Sequence, residues 1–423
     1  MNLVGNMKFI DGGVCAAKGF KASGIYCGIK KSPVPDGNES PISNHKNDIG
    51  MVVSDVICNA AAVYTLNKVK GAPILVTKKN LLKTCGKASA IIVNSKNANT
   101  CNADGEQKAF RMCELTAKEL GIAPEEVIVA STGVIGQILP IEPIEWAVPK
   151  LVEKLSYGGN EQAATAIMTT DTVKKEVAVE LTIGGKTVHL GGMAKGSGMI
   201  KPNMATTLNF ITTDCAISSE MLHKALSEVV KITYNCLSVD GDTSTNDMVS
   251  VMANGLAENA EITAEGEDFD AFKDALYVVM MNMTRMLAKD GEGATKLLEC
   301  ECVGAPDLDT AIIVAKSVIG SNLLKCAMFG ADANWGRVLC AIGYADAQFD
   351  IMKVDVSMSS SKGKVDVCRD GAGIEFSEEI AKEILLEDEI TITVNLNAGD
   401  VSAKAWGCDL TYEYVKINGD YRS

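Results

Sequence analysis

An α+β layered fold is the expectation for this 423-residue chain, and two observations carry it. Segments with the two-residue alternation of strands are interleaved with long segments of helical periodicity, and the C-terminal part returns to a run of short strands. Hydrophobic residues make up 47% of the chain and charged residues 22%, which supplies a large core and rules out a disordered or fibrous protein. The length suggests about two or three domains or lobes.

The elements follow in order. Residues 89–101 (SAIIVNSKNANTC) read as a buried strand entering a polar, asparagine-rich loop. Residues 106–120 read as a helix with Met112, Leu115 and Leu120 near one face, and with Gly121 and Pro124 as stop signals. Residues 125–136 (EEVIVASTGVIG) are a strand feeding a turn with two glycines. Pro143 suits the first turn of a helix through Leu155, which Pro149 should kink. Residues 174–190 predict a hairpin: Val177, Val179, Leu181 and Ile183 alternate, and Gly184-Gly185 makes the turn. Helices are expected at 219–232, 268–289, 311–327 and 376–387, and strands at 352–358, 363–369, 388–396 and 400–406. The stretch 32–48 (SPVPDGNESPISNHKND) reads as an exposed loop.

Charge and cysteine usage narrow the function. With Lys+Arg at 40 and Asp+Glu at 54, the net charge of −14 argues against nucleic acid as a partner, because phosphate binding needs a positive field. A small anion held by one or two local cations stays open. No apolar run approaches the ~18–20 residues that span a bilayer, so no membrane partner is expected. The N-terminal residues lack a basic segment followed by an apolar one, so the expected location is cytoplasmic. Fourteen cysteines are scattered singly without a C-x-x-C, which suits small buried hydrophobes in a reducing compartment. The three histidines (His45, His189, His223) show no metal-ligand spacing, and no metal is expected.

Common catalytic signatures are missing. There is no G-x-S-x-G, no H-E-x-x-H and no Walker sequence; Gly191 and Gly196 have the Walker spacing, but Ser197 stands in the lysine's place. In GEGATK (291–296), Lys296 replaces the third glycine of a dinucleotide fingerprint. An enzyme built on this chain needs a base other than histidine.

The densest unusual segment is GGMAKGSGMIKPNMATTLNFITTD (191–214), which turns into a β-type run at Leu208. One reading is a long inter-strand loop. The other is a self-cleavage site. A threonine hydroxyl is a poor nucleophile without a neighbouring base, and a chain cut before Thr206 would supply one as the freed α-amine. That amine titrates near ~7.7–8.0, so a useful fraction is neutral at physiological pH.

The run KGSGMIKPNMAT (195–206) resembles the processing site of the ornithine/glutamate N-acetyltransferases of arginine biosynthesis, the ArgJ family. Further blocks resemble that family in order along essentially the whole chain: 18–31, 91–105, STGVIGQILP at 131–140, IMTTDTVKK at 167–175, DGEGATK at 290–296, 329–344 and 405–423. The resemblance implies an α/β/β/α sandwich of the DmpA/ArgJ-like type, shared with self-cleaving aminopeptidases. It implies cleavage between Ala205 and Thr206. The products would be an α chain of 1–205, with the oxyanion hole and part of the substrate site, and a β chain of 206–423, with the nucleophile and the C-terminal substrate contacts. Thr207 departs from the family, whose members often carry methionine there.

The activity implied is ping-pong acetyl transfer from N2-acetylornithine to glutamate through an acetyl-Thr206 ester. The α-amine of Thr206 is then the base, and Thr132 and Gly133 form the oxyanion hole. Thr169, Lys195, Thr206, Glu292, Asn418 and Ser423 are carried over as substrate contacts, with Asp171 a weaker candidate for ordering the loop of Thr169. No cofactor is required, and acetyl-CoA enters only as an alternative co-substrate. An α2β2 heterotetramer is the implied assembly. Two other readings stay open: a self-processing Thr-nucleophile amidase or aminopeptidase, and a non-catalytic amino acid sensor. Trp335 and Arg337 are expected to open a helix near the site, Trp406 and Cys408 to pack a strand, and Cys300 and Cys302 to lie in the core.

Overall fold

A computed structural model describes residues 7–29, 46–201 and 207–419. In chain order its elements are β1 (Lys8–Phe9), β2 (Phe20–Ile25), β3 (Ile49–Tyr64), α1 (Ala72–Lys83), β4 (Lys87–Asn94), α2 (Gly105–Leu120), β5 (Val127–Ser131), α3 (Glu142–Glu153) and α4 (Asn160–Ala166). There follow β6 (Lys175–Ile183), β7 (Lys186–Lys195), β8 (Leu208–Thr213), α5 (Ser219–Ile232), β9 (Leu237–Ser238), β10 (Met248–Ala253), α6 (Glu267–Lys289), β11 (Leu297–Ala305), α7 (Leu308–Ile319), α8 (Asn322–Phe329) and α9 (Trp335–Gly343). The chain closes with β12 (Asp355–Ser360), β13 (Gly363–Arg369), β14 (Ala372–Gly373), α10 (Glu378–Leu385), β15 (Glu389–Asn395), β16 (Val401–Cys408) and α11 (Tyr412–Gly419).

The fold is an α+β sandwich of two mixed sheets and helices. Among the described residues the first sheet has nine strands, in the order β1-β6-β7-β8-β10-β3-β4-β5 with β2 beside β3. The second has seven, in the order β14-β13-β12-β15-β11-β16-β9. In the first sheet β8/β10 and β4/β5 are parallel. Parallel neighbours need a crossover, and α5 and α2 lie on those connections.

The hairpin forms as the alternation predicts. Val177 opposes Gly192, Val179 opposes Leu190 and Leu181 opposes Val188. Their apolar side chains are buried, and Gly184 and Gly185 take φ of +55° and +75° in the two-residue turn. One hydrophobic cluster runs from Val177, Val179 and Ile211 in the first sheet to Leu298 and Ile392 in the second. Helix α6 packs against β6 and β7 on one side and β16 and β11 on the other, joining the two sheets into one core.

Several helix starts are set by local chemistry. The side chains of Ser218, Asp307 and Ser377 accept the amides of Met221, Thr310 and Ile380, which otherwise have no intrahelical partner. Helix α3 runs past Pro149, with Pro143 in its first turn. The single helix expected over 311–327 is two, α7 and α8, whose axes differ by 57°. The Ser321 hydroxyl accepts the Leu324 amide and so restarts the helix after Gly320. The strand expected from 352 starts at Asp355, because Asp350 caps a single 3₁₀ turn at Ile351–Lys353. Residues 191–195 belong to β7, so the connection to β8 is shorter than the sequence suggests.

Cys300, Cys302, Trp406 and Cys408 are core residues, and the Trp406 indole donates to Glu299 at 2.8 Å. Helix α9 opens at Trp335, as expected. Trp335 packs over Gly373, and Arg337 Nη1 donates to the Leu323 carbonyl at 2.7 Å. Packing of α9 against α7 and α8 holds both side chains there. Residues 32–45 of the expected exposed loop lie outside the described residues. Among the described residues, no single helix is long and apolar enough to cross a membrane.

Candidate active site

Strands β7 and β8 are neighbours, with Lys195 opposite Leu208. The segment with the self-cleavage signature is therefore the connection between two adjacent central strands. Ala205, Thr206 and Ser423 lie outside the described residues. Both flanks of the junction are described, and they meet other predicted site residues.

Thr132 follows β5 and Lys195 ends β7. Lys195 Nζ donates to Thr132 Oγ1 at 3.2 Å. Thr132, Lys195, Gly196, Thr207, Ser244 and Asp247 line one cleft. Gly133 has φ of +131°, and its backbone passes so close to Lys96 that a Cβ would overlap that residue's carbonyl. Gly196 has φ of +151°, and a Cβ there would stand 2.5 Å from Thr207 Cγ2. Glycine is required at both places for the two turns to approach what they approach.

The turn carrying Thr132 is held by the asparagine-rich loop after β4. The Thr132 amide donates to the Asn94 carbonyl at 3.0 Å, and Ser131 Oγ donates to Asn94 Oδ1 at 2.6 Å. Asn246 donates to the carbonyls of Ala98 at 2.6 Å and Ser131 at 3.0 Å. These buried bonds join the turn to the chain entering β10.

Thr169, Glu292 and Asn418 reach the cleft through hydrogen bonds instead of lining it. Asp171 accepts the Thr169 amide at 3.0 Å and the Gly196 amide at 2.6 Å. Buried Lys175 donates to Asp171 at 2.7 Å and to Asp290 at 2.5 Å. The Glu292 amide donates to the Ser197 carbonyl at 2.9 Å, and Asn418 Nδ2 donates to Glu292 Oε2 at 2.7 Å. The loops around 169–175, 195–198 and 290–292 are thus tied together around one buried lysine.

Burial and charge act against each other here. Burial would raise the Asp171 carboxyl, but Lys195 and Lys175 outweigh it and hold the group well below the usual carboxylate range. Burial lowers Lys195, opposed by Asp171, Asp247 and Glu292. Asp247 is pushed up to about 7 by burial, against the Thr207 and Ser244 bonds and the charge of Lys195.

Of the residues the sequence pointed to, Thr132 and Lys195 line the cleft; Asp247 and Asn246, which also line it, and Lys175, which ties its loops, were not among them. The available signal was the polar run DGDTSTND (240–247), eight residues without an apolar side chain directly before a buried strand. His189 is engaged away from the cleft, with Nδ1 2.7 Å from Asp214. Among the described residues, no group of three or more His, Cys, Asp or Glu is arranged to hold a metal.

A family model described as the ArgJ family matches residues 22–423. The arginine biosynthesis bifunctional protein ArgJ 1 of Clostridium acetobutylicum is 50% identical over 405 residues, 96% of each chain. The arginine biosynthesis bifunctional protein ArgJ of Caldanaerobacter subterraneus subsp. tengcongensis is 46% identical over 418 residues, 99% of this chain and 100% of that one. Among solved structures, the bifunctional protein ArgJ of Bacillus halodurans is 46% identical with a TM-score of 0.47, covering 50% of this chain and 97% of that one. An ornithine acetyltransferase of Mycobacterium tuberculosis, solved with ornithine, is 35% identical with a TM-score of 0.41, covering 47% of this chain and 100% of that one.

Proposed function

The chain belongs to the ArgJ family of arginine-biosynthesis acetyltransferases, and on that footing we propose that it cuts itself before Thr206 and moves an acetyl group from N2-acetylornithine to glutamate. The observation that carries this reading is the cleft itself. Thr132 and Lys195, from before the junction, line it together with Thr207, the residue that follows the nucleophile.

In self-cleavage the Thr206 hydroxyl attacks the Ala205 carbonyl. The C–N bond breaks, the hydroxyl proton passes to the nitrogen, and water then hydrolyses the ester. The Thr206 α-amine is thereby freed as a base. In turnover Thr206 Oγ attacks the acetyl carbonyl of acetylornithine. The oxyanion is met by the Thr132 hydroxyl and the Gly133 amide. Collapse expels ornithine, whose nitrogen takes the proton. The amine of glutamate attacks the acetyl-threonine ester and restores the hydroxyl.

Lys195 suits a substrate carboxylate and Glu292 a substrate amine, and Thr169, Asn418 and Ser423 are the further substrate contacts of this reading. No cofactor enters these steps. The relatives are named bifunctional, and the second activity proposed here is acetylation of glutamate from acetyl-CoA. Strand β8 lies inside the first sheet, between β7 and β10, which supports α and β chains that stay associated after the cut; the proposed assembly of two such pairs is α2β2. The reading places the enzyme in the cytoplasm.

The test is intact-mass spectrometry beside an activity assay. The wild type should give two fragments joining at 205/206, and Thr206→Ala a single chain. Ornithine release should require glutamate. An unbroken wild type, or ornithine release independent of glutamate, would sink the proposal.

A further inference from the structure

We propose that Asp247 is a positioning residue for the threonine at 206, gripping the amide that follows it and so aiming its hydroxyl and, once freed, its amine. This rests on the self-processing reading above. Asp247 Oδ1 accepts the Thr207 amide at 2.6 Å, and that amide nitrogen is bonded to the carbonyl carbon of residue 206. The Met248 amide donates to the Thr207 carbonyl at 2.9 Å, and Asn209 Nδ2 donates to Thr207 Oγ1 at 2.7 Å. Thr207 is thus held at three points in a left-handed conformation, φ +65°, which a β-branched residue adopts only when its surroundings impose it.

The same polar run grips the other flank. Asp240 accepts the amides of Met199 at 2.6 Å and Ile200 at 2.9 Å, and Thr243 Oγ1 donates to the Lys201 carbonyl at 2.6 Å. Met199 also has a positive φ, +55°. One short loop therefore fixes the chain immediately before and immediately after residues 202–206. Holding reacting groups in place is worth several powers of ten in rate, and a small misplacement forfeits much of it.

The Thr207 amide that Asp247 holds is one residue along the chain from the amine that cleavage would free. A nearby carboxylate favours the ammonium form and raises the pKa of an amine. Lys195 on β7 acts on Asp247 directly. Asp171 ahead of β6, Lys175 at its start, and Glu292 after α6 act on Lys195. Asp240 and Asp242 lie in Asp247's own loop.

The test compares wild type, D247N, D247A and D240N, with T206A as the uncut control. Asparagine keeps an acceptor for the Thr207 amide but removes the charge. D247N should process at a rate within a few-fold of wild type, and the acid limb of its kcat/KM profile should move about one unit to lower pH. D247A should process at least tenfold more slowly, with kcat lowered and KM little changed. D240N should slow processing and leave the pH profile in place. A wild type that cuts while D247A cuts equally fast would overturn this inference alone; an uncut wild type would overturn the processing reading and this inference together. Should D247A fail to fold, an unshifted pH profile in D247N would overturn the proposal.

Discussion

Lys195 Nζ donates to the Thr132 hydroxyl across 3.2 Å, joining the end of β7 to the turn after β5. An ammonium can only donate, so Thr132 Oγ1 accepts and its own proton is left to point elsewhere. That suits a hydroxyl that must donate to a developing oxyanion. Thr132→Ala should lower kcat by about 10²–10³-fold with KM nearly unchanged, as steady-state kinetics of the processed enzyme would read. A loss confined to KM would refute the assignment.

Lys175 is fully buried between Asp171 and Asp290. Lys175→Met leaves two carboxylates facing one another without their cation. Removing one partner of such a cluster costs about 3–5 kcal/mol, and urea unfolding should show it as a lower midpoint. A midpoint equal to wild type would mean that the lysine does not organise these loops.

Glu292 is held by Asn418 on α11 and is almost fully buried. Glu292→Gln keeps the shape and removes the charge. A hydrogen bond to a charged group contributes about 1.5–3 kcal/mol, so KM for acetylornithine should rise roughly 10–100-fold with a much smaller change in kcat. Unchanged KM would remove the glutamate from substrate binding.

Asp247, raised to about 7, makes stability depend on pH with a definite sign. Between an unfolded-state value near ~3.9 and about 7, the folded chain keeps a proton that the unfolded chain has lost. Stability contributed by this group therefore falls as pH rises through that window and is flat above it. D247N should flatten the wild-type slope in denaturant unfolding measured from pH 5 to 8. Equal slopes in the two proteins would show that the carboxyl titrates elsewhere.

Burial pushes the Cys300 thiol well above its usual value and Cys302 up to about 12. Cys85 and Cys340 are exposed. A disulfide reagent followed by peptide mapping should label Cys85 and Cys340 in the folded protein and reach Cys300 and Cys302 only after unfolding. Labelling of Cys300 in the native state would contradict the packing of β11.

Much of the fold was legible because its signals are local. The β6/β7 hairpin follows from four alternating apolar residues and a Gly-Gly turn. Helix α5 runs from Ser219 to Ile232, as its periodicity predicts, because Ser218 caps it. The 16-residue β3 carried no clean alternation; its pairing with β4 shifts register between Val53 and Cys58, where Val56 and Ile57 turn to solvent. The division of 311–327 into two helices hung on one serine that can serve as a cap.

The chemistry proposed for the site was written in the chain as residue types in short motifs: Thr132-Gly133, Lys195 and Glu292. Each residue carries its hydroxyl, amide or charge wherever it lies. The meeting of Thr132 with Lys195 was decided by tertiary structure alone. Thr132 and Lys195 are 63 positions apart, and Asp247 meets the Thr207 amide from 40 positions away. The parallel pairing of β8 with β10 brings the polar run before β10 against the junction before β8. Local sequence sets which torsions are cheap. Which distant strands become neighbours is set by the burial of their apolar faces in a shared core, and that sum is completed only when the whole sheet is assembled.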